Sequence, residues 1–339
     1  MPAPLSLTRP QILAFRRRAG ALDERLPAGP ESLRLAAWAG LQDSMPRAAL
    51  LSLHARVEGV ESAHWEDPSL VQIWGPRYSA YVVADRDLAV FTVGRLPDDE
   101  KGRRRAEDAA ARLHAHLGGA RMRYGDAGAG LGVNANSLRY GATTGTILIR
   151  WDGARQPVVW TVPRPDVDPL DARLELARRY LHVFGPVTAA AFGKWAGISG
   201  RSAAAAFAAL GEELTAVRSP VGEAWILASD EEGFRAAPGP AAAARLLPSG
   251  DAFFLLHGVD RELLVPDAAR RDELWTPRVW PGAILLGGEA RGVWRRADEV
   301  VTAEIWGRAS RAERDAIAAE AAGLPLPGVD GVVTVRYAG

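Results

Sequence analysis

Thr188-Ala-Ala-Ala-Phe-Gly-Lys-Trp-Ala-Gly-Ile-Ser-Gly-Arg-Ser-Ala-Ala-Ala-Ala-Phe-Ala-Ala-Leu210 reads as two short helices. The break between them is Gly197-Ile198-Ser199, a tight turn with a residue able to cap the second helix. This is the plan of a helix-turn-helix. A long amphipathic helix over 170–184 precedes it. Leu214-Thr-Ala-Val-Arg-Ser-Pro-Val-Gly-Glu-Ala-Trp-Ile-Leu227 follows with the marks of a hairpin. Helices closed by a hairpin make a winged helix, a module that commonly docks on DNA. The second helix of the pair carries only Arg201 and Ser202 as side chains able to reach a base edge. Direct readout needs several such groups in the major groove. This helix is therefore expected to pack rather than read sequence.

The same plan recurs upstream. Residues 8–19 read as a helix capped by Thr8, with Ile12, Phe15 and Ala19 on one face and Arg16, Arg17 and Arg18 on a solvated one. After Pro27, Gly29 and Pro30 come helices over 31–40 and 45–57. A hairpin over 70–83 turns at Gly75-Pro76-Arg77. A second round has helices over 85–95 and 107–117, joined by the charged connector Asp98-Asp-Glu-Lys-Gly-Arg-Arg-Arg105. A glycine-rich loop over 118–132 and a short helix over 134–140 follow. A hairpin then turns on Asp152-Gly153, a strong turn pair. Pro163, Pro165 and Pro169 mark a boundary. Beyond residue 233 the pattern changes to a strand after Arg245, a hairpin about Gly287-Gly288, a strand over 300–306, a helix over 310–323 and a final strand over 332–337. The expected fold class is α+β, with winged-helix modules at 1–84, 85–163 and 164–233 and a mixed module at 234–339.

Composition narrows the chemistry. The chain has 339 residues and no cysteine, which removes disulfides, thiolate zinc sites, iron–sulfur clusters and a cysteine nucleophile. No signal-type segment and no long apolar run occurs, so a soluble cytoplasmic protein with no membrane contact is expected. Forty-one basic and 41 acidic residues cancel, so a nucleic-acid partner needs locally concentrated bases. Gly128, Gly130 and Gly132 lack the preceding strand and following acid of a dinucleotide fingerprint. The histidines are scattered, and His114 and His116 lie on different helix faces, so neither a metal nor a cofactor is expected.

The candidate chemistry sits in Leu41-Gln-Asp-Ser-Met-Pro-Arg47, between two helices. Ser44 reads as an N-cap and Pro46 as a first-turn residue. Such a break holds Gln42, Asp43 and Ser44 firmly and points them outward.

Four segments together resemble the AlkZ/YcaQ-type winged-helix DNA glycosylases. They are Gly40-Leu-Gln-Asp-Ser-Met-Pro-Arg-Ala-Ala-Leu-Leu-Ser-Leu-His-Ala-Arg-Val57, Leu176-Ala-Arg-Arg-Tyr-Leu-His-Val-Phe-Gly-Pro-Val-Thr188, Arg245-Leu-Leu-Pro-Ser-Gly-Asp251 and Gly292-Val-Trp-Arg-Arg296. The resemblance implies tandem winged helices forming a C-shaped surface for duplex DNA. It implies a monofunctional glycosylase that needs no metal and removes alkylated purines, among them bulky or crosslinked antibiotic adducts, in repair or self-resistance. Its catalytic motif is Gln-x-Gln or Gln-x-Asp. Gln42 takes the first place, Ser44 the second, where it departs from the pattern, and Asp43 the variable one. A purine alkylated at N7 or N3 is cationic and leaves readily. The protein then has to position a water and stabilise an oxocarbenium-like sugar. The amide oxygen of Gln42 suits holding the water and facing the developing cation, and an Asp43 turned towards the sugar is the stronger electrostatic partner. For DNA contacts the expected residues are Arg47, Arg56, Arg77, Tyr78, Arg139, Arg295 and Arg296, neutralising phosphates without reading sequence. A monomer is expected. The alternatives are a winged-helix DNA-binding protein without catalysis and a protein-interaction scaffold.

Overall fold

A computed structural model describes residues 5–153, 155–326 and 333–338. In chain order, β1 (Leu5–Ser6) and the helix Arg9–Ala19 lead to the helix Pro30–Ala36, β2 (Leu41–Gln42), the helix Ala48–Arg56, β3 (Leu70–Trp74) and β4 (Ala80–Ala84). The helix Glu100–Leu117, β5 (Met122–Arg123), the helix Tyr124–Gly130, a 3-10 helix Ala135–Thr144, β6 (Ile147–Arg150) and β7 (Val158–Thr161) follow. Next come helices Pro169–Phe184, Ala189–Ala196 and Gly200–Leu210 with β8 (Leu214–Ser219) and β9 (Gly222–Leu227). The last part holds β10 (Ala244–Leu247), β11 (Gly282–Leu286), β12 (Glu289–Ala297), β13 (Val300–Ile305), the helix Arg311–Ala322 and β14 (Thr334–Tyr337). The chain is thus mixed α and β. Among the described residues no helix is long and apolar enough to cross a membrane.

The hairpins form where alternation and turn residues place them, but the sheets join what the sequence divides. One six-stranded sheet runs β2-β4-β3-β6-β7-β5, so the first two hairpins share it. The seam is the pairing of β3 with β6 at Gln72 and Ile149. A three-stranded sheet runs β1-β8-β9, with β1 parallel to β8. The N-terminal strand therefore belongs with residues 214–227 rather than with the segment ending at 84. The adjoining helix goes with it. Arg16 and Arg17 are buried, not solvated, and Arg16 Nε donates to the Gly185 carbonyl at 3.0 Å. A buried guanidinium has to find carbonyls or acids. A five-stranded sheet, β10-β11-β12-β13-β14, makes the last part.

The helix Pro169–Phe184 is the axis of the core. Asp168 caps it, accepting from Leu170 N at 2.8 Å, and Pro169 suits its first turn. Its stripe Ala172, Leu176, Ala177, Tyr180, Leu181 and Phe184 is buried. Tyr180, Phe184, Phe192 and Trp195 meet there, together with Tyr81 from β4 and Phe253 and Phe254 from the last part. Each such side chain contributes about 1.5–3 kcal/mol on burial. The helix Gly200–Leu210 buries Ala203, Ala206 and Phe207 against the same core.

Four local expectations change. The helix expected over 85–95 is a short α-helix, Leu88–Phe91, between 3-10 turns at Asp85–Asp87 and Val93–Arg95. The charged connector at 98–105 is helical from Glu100, because the Asp99 carboxylate accepts from Gly102 N at 2.7 Å and opens the helix there. The glycine-rich stretch is β5 and a helix in which Gly128 lies against Ala135. The helix expected from Met45 begins at Ala48, behind Arg47 in a left-handed conformation with φ of 63°.

Candidate active site

β2 is two residues long, and pleating sends its side chains to opposite sides. Leu41 is buried, whereas Gln42, paired with Tyr81 of β4, faces the turn of the first hairpin. Gln42 is therefore held on a strand, not in a helix break. Its Oε1 accepts from Arg77 Nη2 at 3.3 Å and from the Tyr81 hydroxyl at 3.5 Å. Its Nε2 lies against Gly250. A Cβ there would stand 3.1 Å from the amide nitrogen, and the backbone φ of +77° also suits glycine.

Asp43 turns inward. It is 0% exposed. Oδ1 accepts from Ala49 N at 3.0 Å and Oδ2 from Gln72 Nε2 at 2.6 Å. Gln72 Oε1 in turn accepts from Trp151 N at 2.6 Å, which fixes its amide. Asp43 thus opens the helix Ala48–Arg56 in the place expected of Ser44, and ties it to the second hairpin. Burial pushes its carboxyl up to about 8, against the pull of the Ala49 and Gln72 hydrogen bonds. A carboxyl so placed cannot face a sugar. Ser44 is exposed and shares a cleft of about 340 Å³ with Trp74, Arg77, Tyr78, Arg139 and Trp151. A second cleft of about 340 Å³ on the other side of the loop is lined by Met45, Pro46, Trp280, Trp294, Arg295 and Arg296.

Of the residues expected to contact DNA, Arg77, Tyr78 and Arg139 thus gather at the first cleft and Arg295 and Arg296 at the second. Arg47 is half-buried, with its guanidinium 4.4 Å from the Trp65 ring centroid. Arg56 is not at the surface, and the phosphate contact expected of it is corrected. It is 3% exposed. Its two terminal nitrogens donate to Asp251 at 2.7 and 2.8 Å, and Ser52 Oγ donates to the same carboxylate at 2.6 Å. This buried pair docks the Gly250-Asp251 turn against Gln42.

A family model for AlkZ-like DNA glycosylases matches residues 35–325. The chain belongs to this family. Among solved structures, Streptomyces sahachiroi DNA glycosylase AlkZ superposes on the AlkZ-like chain with a TM-score of 0.78, at 18% sequence identity, over 98% of this chain and 100% of that one. That likeness is one of fold. No curated protein matches the sequence.

Several residues of the candidate site carry little sequence signal. Gln72 interrupts the apolar run Leu70–Trp74, and a polar residue facing inward from a strand has to be satisfied. Asp251 closes one of the segments that carried the resemblance. Tyr81 and His257 carried no signal, since nothing local tells that they meet Gln42 or Arg77.

Proposed function

We propose that the chain is a monofunctional DNA glycosylase that hydrolyses the N-glycosidic bond of alkylated purines in duplex DNA, with Gln42 as the group that holds the attacking water. The single observation that carries this reading is the fixed amide of Gln42, braced by Arg77 and Tyr81 beside a cleft lined by Ser44, Tyr78 and Arg139. A preorganised polar group beside the reacting centre needs no reorganisation as charge develops. A cationic N7- or N3-alkylpurine leaves without strong acid help, which suits a site that presents Gln42 and Ser44. An amine nucleophile is not favoured, because the chain's lysines are Lys101 and Lys194 and neither lines the cleft. The blocks of helices closed by hairpins are read as winged helices that cradle the duplex. Arg77, Tyr78, Arg139, Arg295 and Arg296 contact phosphates, and the open cleft leaves room for a bulky adduct.

The test is base release under single-turnover conditions from a duplex carrying one N7-alkylguanine, read as alkali-labile sites. Gln42→Ala is expected to lower the rate about 100-fold or more while duplex binding and melting temperature hold. Ser44→Ala reports on the second motif place. The second reading, a DNA-binding protein without catalysis, is favoured by Ser44 standing where the family motif has an amide or acid. Binding of the duplex with no release from any alkylated substrate would establish that reading and overturn the first.

A further inference from the structure

Among the described residues, Arg77 is an arginine without an acid. Its Nη1 lies 2.7 Å from His257 Nε2, and its Nη2 donates to Gln42 Oε1 at 3.3 Å. A guanidinium only donates, so His257 Nε2 is the acceptor and the imidazole is neutral. Burial, reinforced by the charge of Arg77, lowers His257 to about 4, in keeping with that role. Among the described residues no carboxylate forms an ion pair with Arg77, whereas Arg9, Arg17, Arg25, Arg56, Arg173 and Arg179 each have one.

The turn that carries Arg77 is held in an unusual backbone. Arg77 and Tyr78 have φ of 54° and 58°, consecutive left-handed conformations in non-glycine residues. Such geometry persists only where the surroundings impose it, and it gathers at functional sites. Here the turn is wedged by the third block of helices: a Cβ on Gly197 would lie 2.9 Å from Arg77 N. An uncompensated, half-buried guanidinium held this firmly is prepared for an anion, and its planar fork fits phosphate oxygens.

The site also lacks something. The sugar becomes cationic as the base departs, and among the described residues that line the first cleft there is no carboxylate, while Asp251 behind Gln42 is taken up by Arg56 and Ser52. Asp43 is buried with both oxygens engaged, and Gln42 and Ser44 are neutral. The two vacancies have one solution. We infer that a backbone phosphate of the substrate strand, gathered by Arg77 next to Gln42, is the anion that stabilises the developing sugar cation. The catalytic negative charge then comes from the DNA, and His257 is a positioning residue that holds Arg77 in place. In this step the bond from C1′ to the alkylated base breaks, its electron pair leaves with the base, and the cationic base departs neutral. The oxygen of the water held by Gln42 bonds to C1′, and a proton goes to solvent.

The inference rests on the glycosylase reading, and its test separates the two. Duplexes with one N7-alkylguanine are prepared with a neutral methylphosphonate at each flanking phosphate in turn, and single-turnover release is measured at saturating protein. One position is expected to lower the rate about 10–100-fold, the scale of losing one preorganised electrostatic partner. Arg77→Ala is expected to be slow on the natural backbone and to lose nothing further at that position. His257→Ala should reproduce part of the Arg77→Ala loss, and His257→Gln, which keeps an acceptor, should restore it. Melting temperatures of all variants and the response of Arg77→Lys guard against a folding defect. Equal release across the whole methylphosphonate set overturns the inference and leaves the glycosylase reading intact. No release from the all-phosphate duplex overturns that reading, and the inference with it.

Discussion

Asp43 and Ser44 stand side by side in the chain, one buried and capping a helix from within, the other exposed at a cleft. Above about pH 7 the pH dependence of stability is expected to follow Asp43. Its carboxyl titrates near 3.8 when free and at about 8 in the fold, chiefly through burial. Between those values the folded chain binds a proton that the unfolded chain has released. Unfolding free energy therefore falls as pH rises through that window and is fully restored below it. Asp43→Asn has no proton to lose. Melting curves from about pH 7 to about pH 9, above the range in which the buried His54 and half-buried His257 would take up protons on unfolding, should decline for the native chain and run flatter for Asp43→Asn; parallel declines would remove Asp43 as the cause. Gln42 was legible as a candidate through the family resemblance, whose Gln-x-Gln or Gln-x-Asp motif it opens; by its own chemistry the break reads equally as a cap and a turn. Which of residues 42–44 turns inward was not legible. That choice is made by β2 pairing with β4 and by Gln72, some 30 residues away, supplying the partner that makes burial of an acid tolerable.

Hairpins and long helices followed from local alternation and capping, so β3 with β4, β6 with β7 and β8 with β9 could be read directly. Pairings between distant elements could not, because a strand edge bears no mark of its eventual neighbour. The docking of the helix Ala48–Arg56 on the Gly250-Asp251 turn is of this second kind. It depends on the buried pair of Arg56 and Asp251. Removing one partner of a buried ion pair leaves the other charge stranded, typically at a cost of about 3–5 kcal/mol. Arg56→Ala should lose about that much in urea unfolding, and Asp251→Asn somewhat less because Ser52 and one guanidinium nitrogen keep an acceptor. A loss below about 1 kcal/mol for Arg56→Ala would mean that the two parts are held together elsewhere.

At the scale of the molecule, equal numbers of acidic and basic residues leave no net charge to draw DNA in, so affinity rests on where the arginines lie. Arg295 and Arg296 are exposed beside the second cleft, within reach of a duplex laid across residues 44–46. Arg295→Ala should weaken duplex binding alike for all sequences and reduce the slope of log affinity against log salt by about 1. An unchanged slope would put the duplex elsewhere. The α+β character and the family resemblance were legible over most of the chain. The joined sheets were not, and one of them bears on how the molecule is made. β1 pairs with β8, Leu5 opposite Val217. On a ribosome the strand at Leu5 is made before its partner, which follows roughly 210 residues later, on the order of 10–40 s at ~5–20 residues per second. Through that interval the strand edge is unpaired and open to a wrong neighbour. This sheet is a drawstring that cannot be pulled until residues 214–219 exist.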